Sequence, residues 1–97
     1  MFNKLKQFKD LRKQANEIKN TLAQETAQGS GAWDKVKITI NGNQEVLNVE
    51  IDPELLAQDK KQDLEKGIKD ATNDAIKKVQ RIMAEKMKET GFNLPGM

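Results

Sequence analysis

The sequence contains no cysteine and no histidine, and only four of its 97 residues are aromatic. Without the first two, the chain lacks thiol and imidazole nucleophiles, histidine general bases and the ligands of ordinary zinc sites. A disulfide framework is ruled out as well, which fits a reducing cytoplasm. No apolar run approaches the roughly 18 residues of a membrane span. The opening stretch MFNKLKQFKDLRK breaks every apolar run with a cation, so no secretory leader is expected. Six glycines, none in a phosphate-cradling or dinucleotide pattern, leave no nucleotide fingerprint. Ser30 stands in GSG, but with no histidine and no strand-turn-helix elbow it is not a nucleophile. The chain is therefore expected to be no enzyme and to carry no cofactor.

Charge is plentiful but unevenly placed. The net value is only +2. Residues 1–20 hold six cations against two acids, residues 31–59 two against six, and residues 60–97 nine against six. Basic ends flank an acidic middle. Hydrophobic residues make up 36% and charged residues 33% of a chain long enough for one small domain, 1–97. Such a domain buries only about 60–65% of its unfolded surface. Either part of it stays disordered or a second copy completes the core, and the strong periodicity favours the second copy.

Phe8, Leu11, Ala15, Ile18 and Leu22 recur at helical spacing, and no glycine or proline interrupts before Gly29, so a helix is expected over about 3–23. QETAQGSGAW then breaks the pattern, with a short strand over about 25–28 at most. Val36, Ile38 and Ile40 alternate with Lys35, Lys37 and Thr39, predicting a strand over about 34–40. Asn41-Gly42 signals a hairpin, lengthened by Asn43 and Gln44 if these also turn. Leu47, Val49 and Ile51 alternate again in a return strand over about 45–52, placing both apolar sets on one buried side. Asp52-Pro53 ends that strand, and PELL makes one turn of helix at most. Asp59 and Gln62 resemble a capping box opening a second long helix over about 60–90, marked by Leu64, Ile68, Ala71, Ala75, Val79 and Ile82. Gly67 weakens that helix by about 1 kcal/mol relative to Ala. Gly91 is its expected end, and 91–97 a flexible tail. The fold class is α+β, helix–strands–helix.

Two sets of residues invite a functional reading. Glu50, Asp52 and Glu54 are candidates for a divalent cation or an acid–base pair. No third convergent group completes such a site, and a solvated strand face followed by a turn accounts for the same letters. The cations form rows. Lys6, Lys9 and Lys13 share one face of the first helix, with Arg12 and Lys19 beside the apolar stripe. Lys77, Lys78 and Arg81 cluster on the last helix, followed by Lys86 and Lys88. Such rows can track phosphates, although Glu65–Lys69 and Asp74–Lys78 are spaced to neutralise part of them. Trp33 alone makes no base-stacking platform and is expected to pack over the sheet or at an interface.

The stretch VKITINGNQEVLNVEIDPELL, Val36 to Leu56, resembles the central signature of the YbaB/EbfC family of small bacterial nucleoid-associated proteins. TNDAIKKVQRIMAEKM resembles that family's last helix, LRKQANEIKNTLAQE its first, and GFNLPGM its Gly/Pro tail, so the likeness covers essentially the whole chain. The resemblance implies an α-β-β-β-α fold with a three-stranded antiparallel sheet, in an intertwined, tweezer-like homodimer. It implies binding of double-stranded DNA through projecting helices, with little sequence specificity, in the cytoplasm at the nucleoid. On this chain it nominates Lys6, Lys9, Arg12, Lys13, Lys77, Lys78 and Arg81 as the DNA contacts. The alternative is a non-enzymatic adaptor whose helix stripes dock a protein partner, in DNA repair or recombination.

Overall fold

The computed structural model describes the backbone of residues 2–90 and the side chains of residues 8–88. Helix α1 spans Phe2–Gln24, strands β1, β2 and β3 span Thr26–Gly31, Val36–Asn41 and Val46–Ile51, and helix α2 spans Lys61–Thr90. Two 3-10 turns, Pro53–Leu56 and Gln58–Lys60, join β3 to α2. The strands form one antiparallel sheet in the order β1-β2-β3. The Lys6 side chain, the helix end expected at Gly91 and the tail 91–97 lie outside the described residues.

The core lies between one face of β1–β2 and α2. Ala27, Gly29 and Gly31 stand opposite Ile40, Ile38 and Val36, so these six positions share the covered face. From α2, Ala71, Ala75 and Val79 are buried against them, with Leu55 of the first 3-10 turn closing one end. The helix comes unusually close. A Cβ built on Gly29 would fall 2.1 Å from the Ala71 carbonyl oxygen, and one on Gly31 2.3 Å from that of Gly67. Contact at this range requires small residues on both sides, and Gly67 itself leaves room for Ala32 and Val36 Cγ2, each 2.9 Å from where its Cβ would lie.

This packing corrects three sequence expectations. GSG is not a loop, because Gly29, Ser30 and Gly31 complete β1, where absent side chains let the helix settle. Gly67 is not only a weak point in a helix but part of the same fit. Leu47 does not continue the alternation. Ile40 pairs with Val46 and Thr39 with Asn48, which leaves Leu47 as the extra residue of a β-bulge.

The turns also depart from the simplest reading. β2 begins at Val36 because Ala32, Trp33 and Asp34 all take left-handed backbone (φ 52, 54 and 67°) before Lys35 N–H bonds back to the Ala32 carbonyl. Between β2 and β3 the connection is the four residues Gly42–Glu45, closed by Gln44 N–H on the Asn41 carbonyl and by Asn41 N–H on the Glu45 carbonyl, with Gln44 at φ 59°. Asn41 is buried and holds this turn, its Oδ1 accepting from the N–H groups of Asn43 and Glu45. Asp59 lies inside the turn Gln58–Lys60 instead of capping α2.

Among the described residues, the hydrogen bonds that attach α1 to the rest of the chain lie near its end. Leu22 O accepts from Gly42 N–H at 3.0 Å, and Lys19 O from Asn43 Nδ2. Ile18 and Leu22 are half-buried, whereas Phe8 and Leu11 are exposed. The result is elongated, with extents of 65 × 26 × 19 Å and a radius of gyration of 18.3 Å, against roughly 12–13 Å for a compact domain of this length.

Because strand glycine is ordinarily less favourable than alanine, Gly29→Ala would raise stability if the helix were not there. With it there, the substitution is expected to destabilise by about 1–3 kcal/mol, measured by urea denaturation beside Ser30→Ala, which should change little.

Candidate nucleic-acid interface

The nominated cations do not form one set. On α2, Lys77 and Arg81 each follow a buried residue, Ala75 and Val79, by two positions, which turns them about 200° away from the sheet. Both are exposed, and neither has an ion pair among the described residues. Lys88, seven residues beyond Arg81, continues this outward row and is exposed too.

Lys78 points the other way. Its Nζ donates to the Gln28 carbonyl at 3.1 Å and lies 3.1 Å from Asp74 Oδ2. The same Asp74 oxygen accepts the Ser30 N–H at 3.0 Å. Gln28 and Ser30 present these groups on the free edge of β1, so the Asp74–Lys78 pair occupies backbone positions that would otherwise template another strand. The Ser30 N–H, with help from Lys78, holds the Asp74 carboxyl below the usual carboxylate range. Sequence spacing anticipates the i, i+4 pair; its attachment to β1 comes from the fold. Lys86 is engaged as well, 2.9 Å from Glu25 Oε1. Glu65 and Lys69 form no ion pair, so that expected neutralisation does not occur.

On α1, Lys9, Arg12 and Lys13 are exposed and have no ion pair among the described residues. Lys13 and Lys9 stand roughly 14 and 20 Å along the helix axis from Leu22, where α1 meets the turn after β2. No bond joins this set to Lys77 and Arg81. Lys6 is in α1, and its side chain lies outside the described residues.

The carboxylates Glu50, Asp52 and Glu54 are separately occupied. Glu50 accepts from Asn48 Nδ2, Asp52 from the Glu54 N–H, and Glu54 pairs with Lys35 at 2.8 Å. Among the described residues no group of three or more acidic side chains is arranged to hold a metal ion, and no helix is long and apolar enough to cross a membrane.

Comparison with known proteins gives this geometry its context. The family model described as the YbaB/EbfC DNA-binding family matches residues 1–94. The chain belongs to that family. It is 35% identical to a nucleoid-associated protein of Dictyoglomus thermophilum, covering 97% of this chain and 90% of that one. A nucleoid-associated protein of Syntrophobacter fumaroxidans is 32% identical, with 99% and 89% covered. One from Caldanaerobacter subterraneus subsp. tengcongensis is 29% identical, with 98% and 87% covered. The crystal structure of the Helicobacter pylori protein HP0035 superposes with a TM-score of 0.61 at 22% identity, over 89% of this chain and 95% of that one. This last likeness concerns the fold alone, a helix, three antiparallel strands and a long C-terminal helix.

Asp74 ties protonation to stability. A carboxyl held low in the folded chain stabilises it above the unfolded pKa, and that contribution is lost as pH falls through the folded value. Asp74→Asn should therefore melt at lower temperature than the parent at pH 7. The two melting curves should converge as pH falls below about 4, as followed by circular dichroism.

Proposed function

We propose that this YbaB/EbfC chain is a nucleoid-associated protein that binds duplex DNA non-specifically as a homodimer, without catalysis. The observation that carries the reading is the division of labour on α2: Lys78 and Lys86 serve the fold, while Lys77 and Arg81 face solvent with no salt bridge among the described residues, Lys77 acting on Asp74 only through longer-range attraction. Cations with no carboxylate partner are available to phosphates, and each phosphate they neutralise releases condensed counterions. Lys9, Arg12 and Lys13, with Lys6 in the same helical register, form the second contact set on α1. Contacts of this kind position a protein on the backbone and carry no base readout. Lys78 is withdrawn from the direct contacts, because moving it to a phosphate would open the β1 edge.

Dimer formation is supported by β3. α2 covers β1 and β2, and Val46, Leu47 and Val49 of β3 remain exposed although Ile40 and Ile38 beside them are buried. The outer edge of β3 carries nothing comparable to the Asp74–Lys78 cover on β1. One guarded edge and one open, apolar edge fit a sheet that continues into a second copy. Pairing two copies would also double the cation rows offered to one duplex. The relatives' names place them at the nucleoid, and the same cytoplasmic location is proposed here.

Two measurements test this reading. Anisotropy against a labelled duplex of arbitrary sequence should show affinity falling about 10³-fold between 50 and 200 mM salt if about six phosphates are contacted. Lys77→Gln with Arg81→Gln should flatten that salt dependence and leave stability unchanged. Absence of binding at low salt by a dimer would reject DNA as the ligand. For the dimer, Val49→Glu should raise the dissociation constant about 5- to 150-fold, since burying an unmatched polar group costs about 1–3 kcal/mol, read by sedimentation velocity.

A further inference from the structure

Trp33 is the chain's one tryptophan and is 90% exposed. It does not pack over the sheet, which corrects the sequence expectation within the protomer. It stands instead at the tip of the β1–β2 connection, at the end of β2 opposite Gly42 and α1. The turn beneath it is tied down on three sides. Ala32 sits against Gly67 of α2, Lys35 O accepts the Asp52 N–H at 2.8 Å, and Lys35 Nζ pairs with Glu54 at 2.8 Å. A large amphipathic ring is thus presented on a fixed base, with little conformational freedom left to lose on contact.

The charges around the turn decide what fits there. Asp34 is the next residue, exposed, its side chain without a hydrogen bond or ion pair among the described residues. Glu54, Asp52 and Asp63 all lie near enough to Lys35 to hold its ammonium above its ordinary pKa, the Glu54 contact first. A nucleic acid stacking a base on the indole would bring its phosphates among these carboxylates, and Coulomb repulsion opposes that. A cation meets the reverse situation, since the negative face of the indole attracts ammonium and guanidinium groups and the carboxylates add to the attraction. The basic rows of a second copy have the right sign, but such a contact is head-to-tail and propagates into open chains. A partner's short basic segment caps the tip without propagating.

We propose that the Trp33 turn, with Asp34 next to the indole and Asp52 at its base, is a docking point for an arginine- or lysine-bearing segment of a partner protein. The guanidinium or ammonium stacks on the indole while Asp34 draws in a neighbouring cation. The site is separate from Lys77, Arg81 and the α1 cations, and it does not rest on the DNA reading.

Trp33 is its own reporter. In the full-length protein, its emission should be water-like and open to acrylamide quenching at every protein concentration. A capped peptide of alternating glycine and arginine should change that emission saturably, whereas a glycine–glutamate peptide and duplex DNA should not. Binding of the labelled arginine peptide should weaken roughly 2- to 30-fold in Trp33→Ala, less in Trp33→Phe, and also in Asp34→Asn, where the indole remains. Circular dichroism melts matching the parent would show that these variants are folded. Three results would overturn the proposal. Shielded emission that becomes water-like on dilution would give the site to a second copy. Unchanged peptide affinity in Trp33→Ala would reduce the effect to charge alone. Quenching by duplex DNA in place of the peptide would make the tip a nucleic-acid contact.

Discussion

The close seating of α2 on β1 is the contact on which the other features depend. With no side chain at Gly29 or Gly31, the helix backbone approaches the strand to a range that any Cβ would forbid. At that distance Asp74 and Lys78 reach over the strand and bond its free edge. One helical turn is 3.6 residues, so seating Ala71, Ala75 and Val79 inward fixes Lys77 and Arg81 outward. Packing therefore decides which lysines serve the fold and which remain for a ligand. The same seating centres the helix on β1 and β2 and leaves β3 uncovered.

Much of this was legible in the sequence, and the failures share a cause. Period-3.6 and period-2 patterns placed both helices and the β2–β3 hairpin, because amphipathic spacing reports which face is covered. Asn41, Gly42, Asn43 and Gln44 announced the turn that Asn41 then organises. What stayed hidden depends on distance between elements remote in the chain. Gly29, Ser30 and Gly31 read as a loop because local propensity penalises glycine in strands, whereas the decisive factor lies forty residues away at Ala71 and Ala75. Lys78 and Lys77 are adjacent letters; spacing pairs Lys78 with Asp74, but the attachment of that pair to Gln28 O and the Ser30 N–H on β1 comes only from the fold. The β-bulge at Leu47 had no signature in an unbroken alternation. Trp33 is expected by type over the sheet or at an interface; in the protomer it lies over no sheet, within a turn of three successive left-handed residues.

The division of charge bears on how a chain with net charge +2 could hold DNA at all. Net charge is a poor guide, because carboxylates already bonded to backbone or lysine within the fold are not spread over the surface that meets a ligand. Here residues 31–59, the sheet and its turns, hold six acids against two cations, while the cations of α1 and α2 that form no salt bridge among the described residues lie on exposed helix faces. An exposed row on one helix supplies only a few contacts, and each is screened over about 10 Å at ordinary salt. Duplication is then the economical route to useful affinity, since a second row fixed by a shared sheet binds at high effective concentration. The uncovered residues of β3 and the modest charge of the single chain thus bear on the proposed dimer from independent premises: the first lacks a cover for apolar surface, the second lacks enough phosphate contacts, and a two-fold pairing, if formed, would supply both.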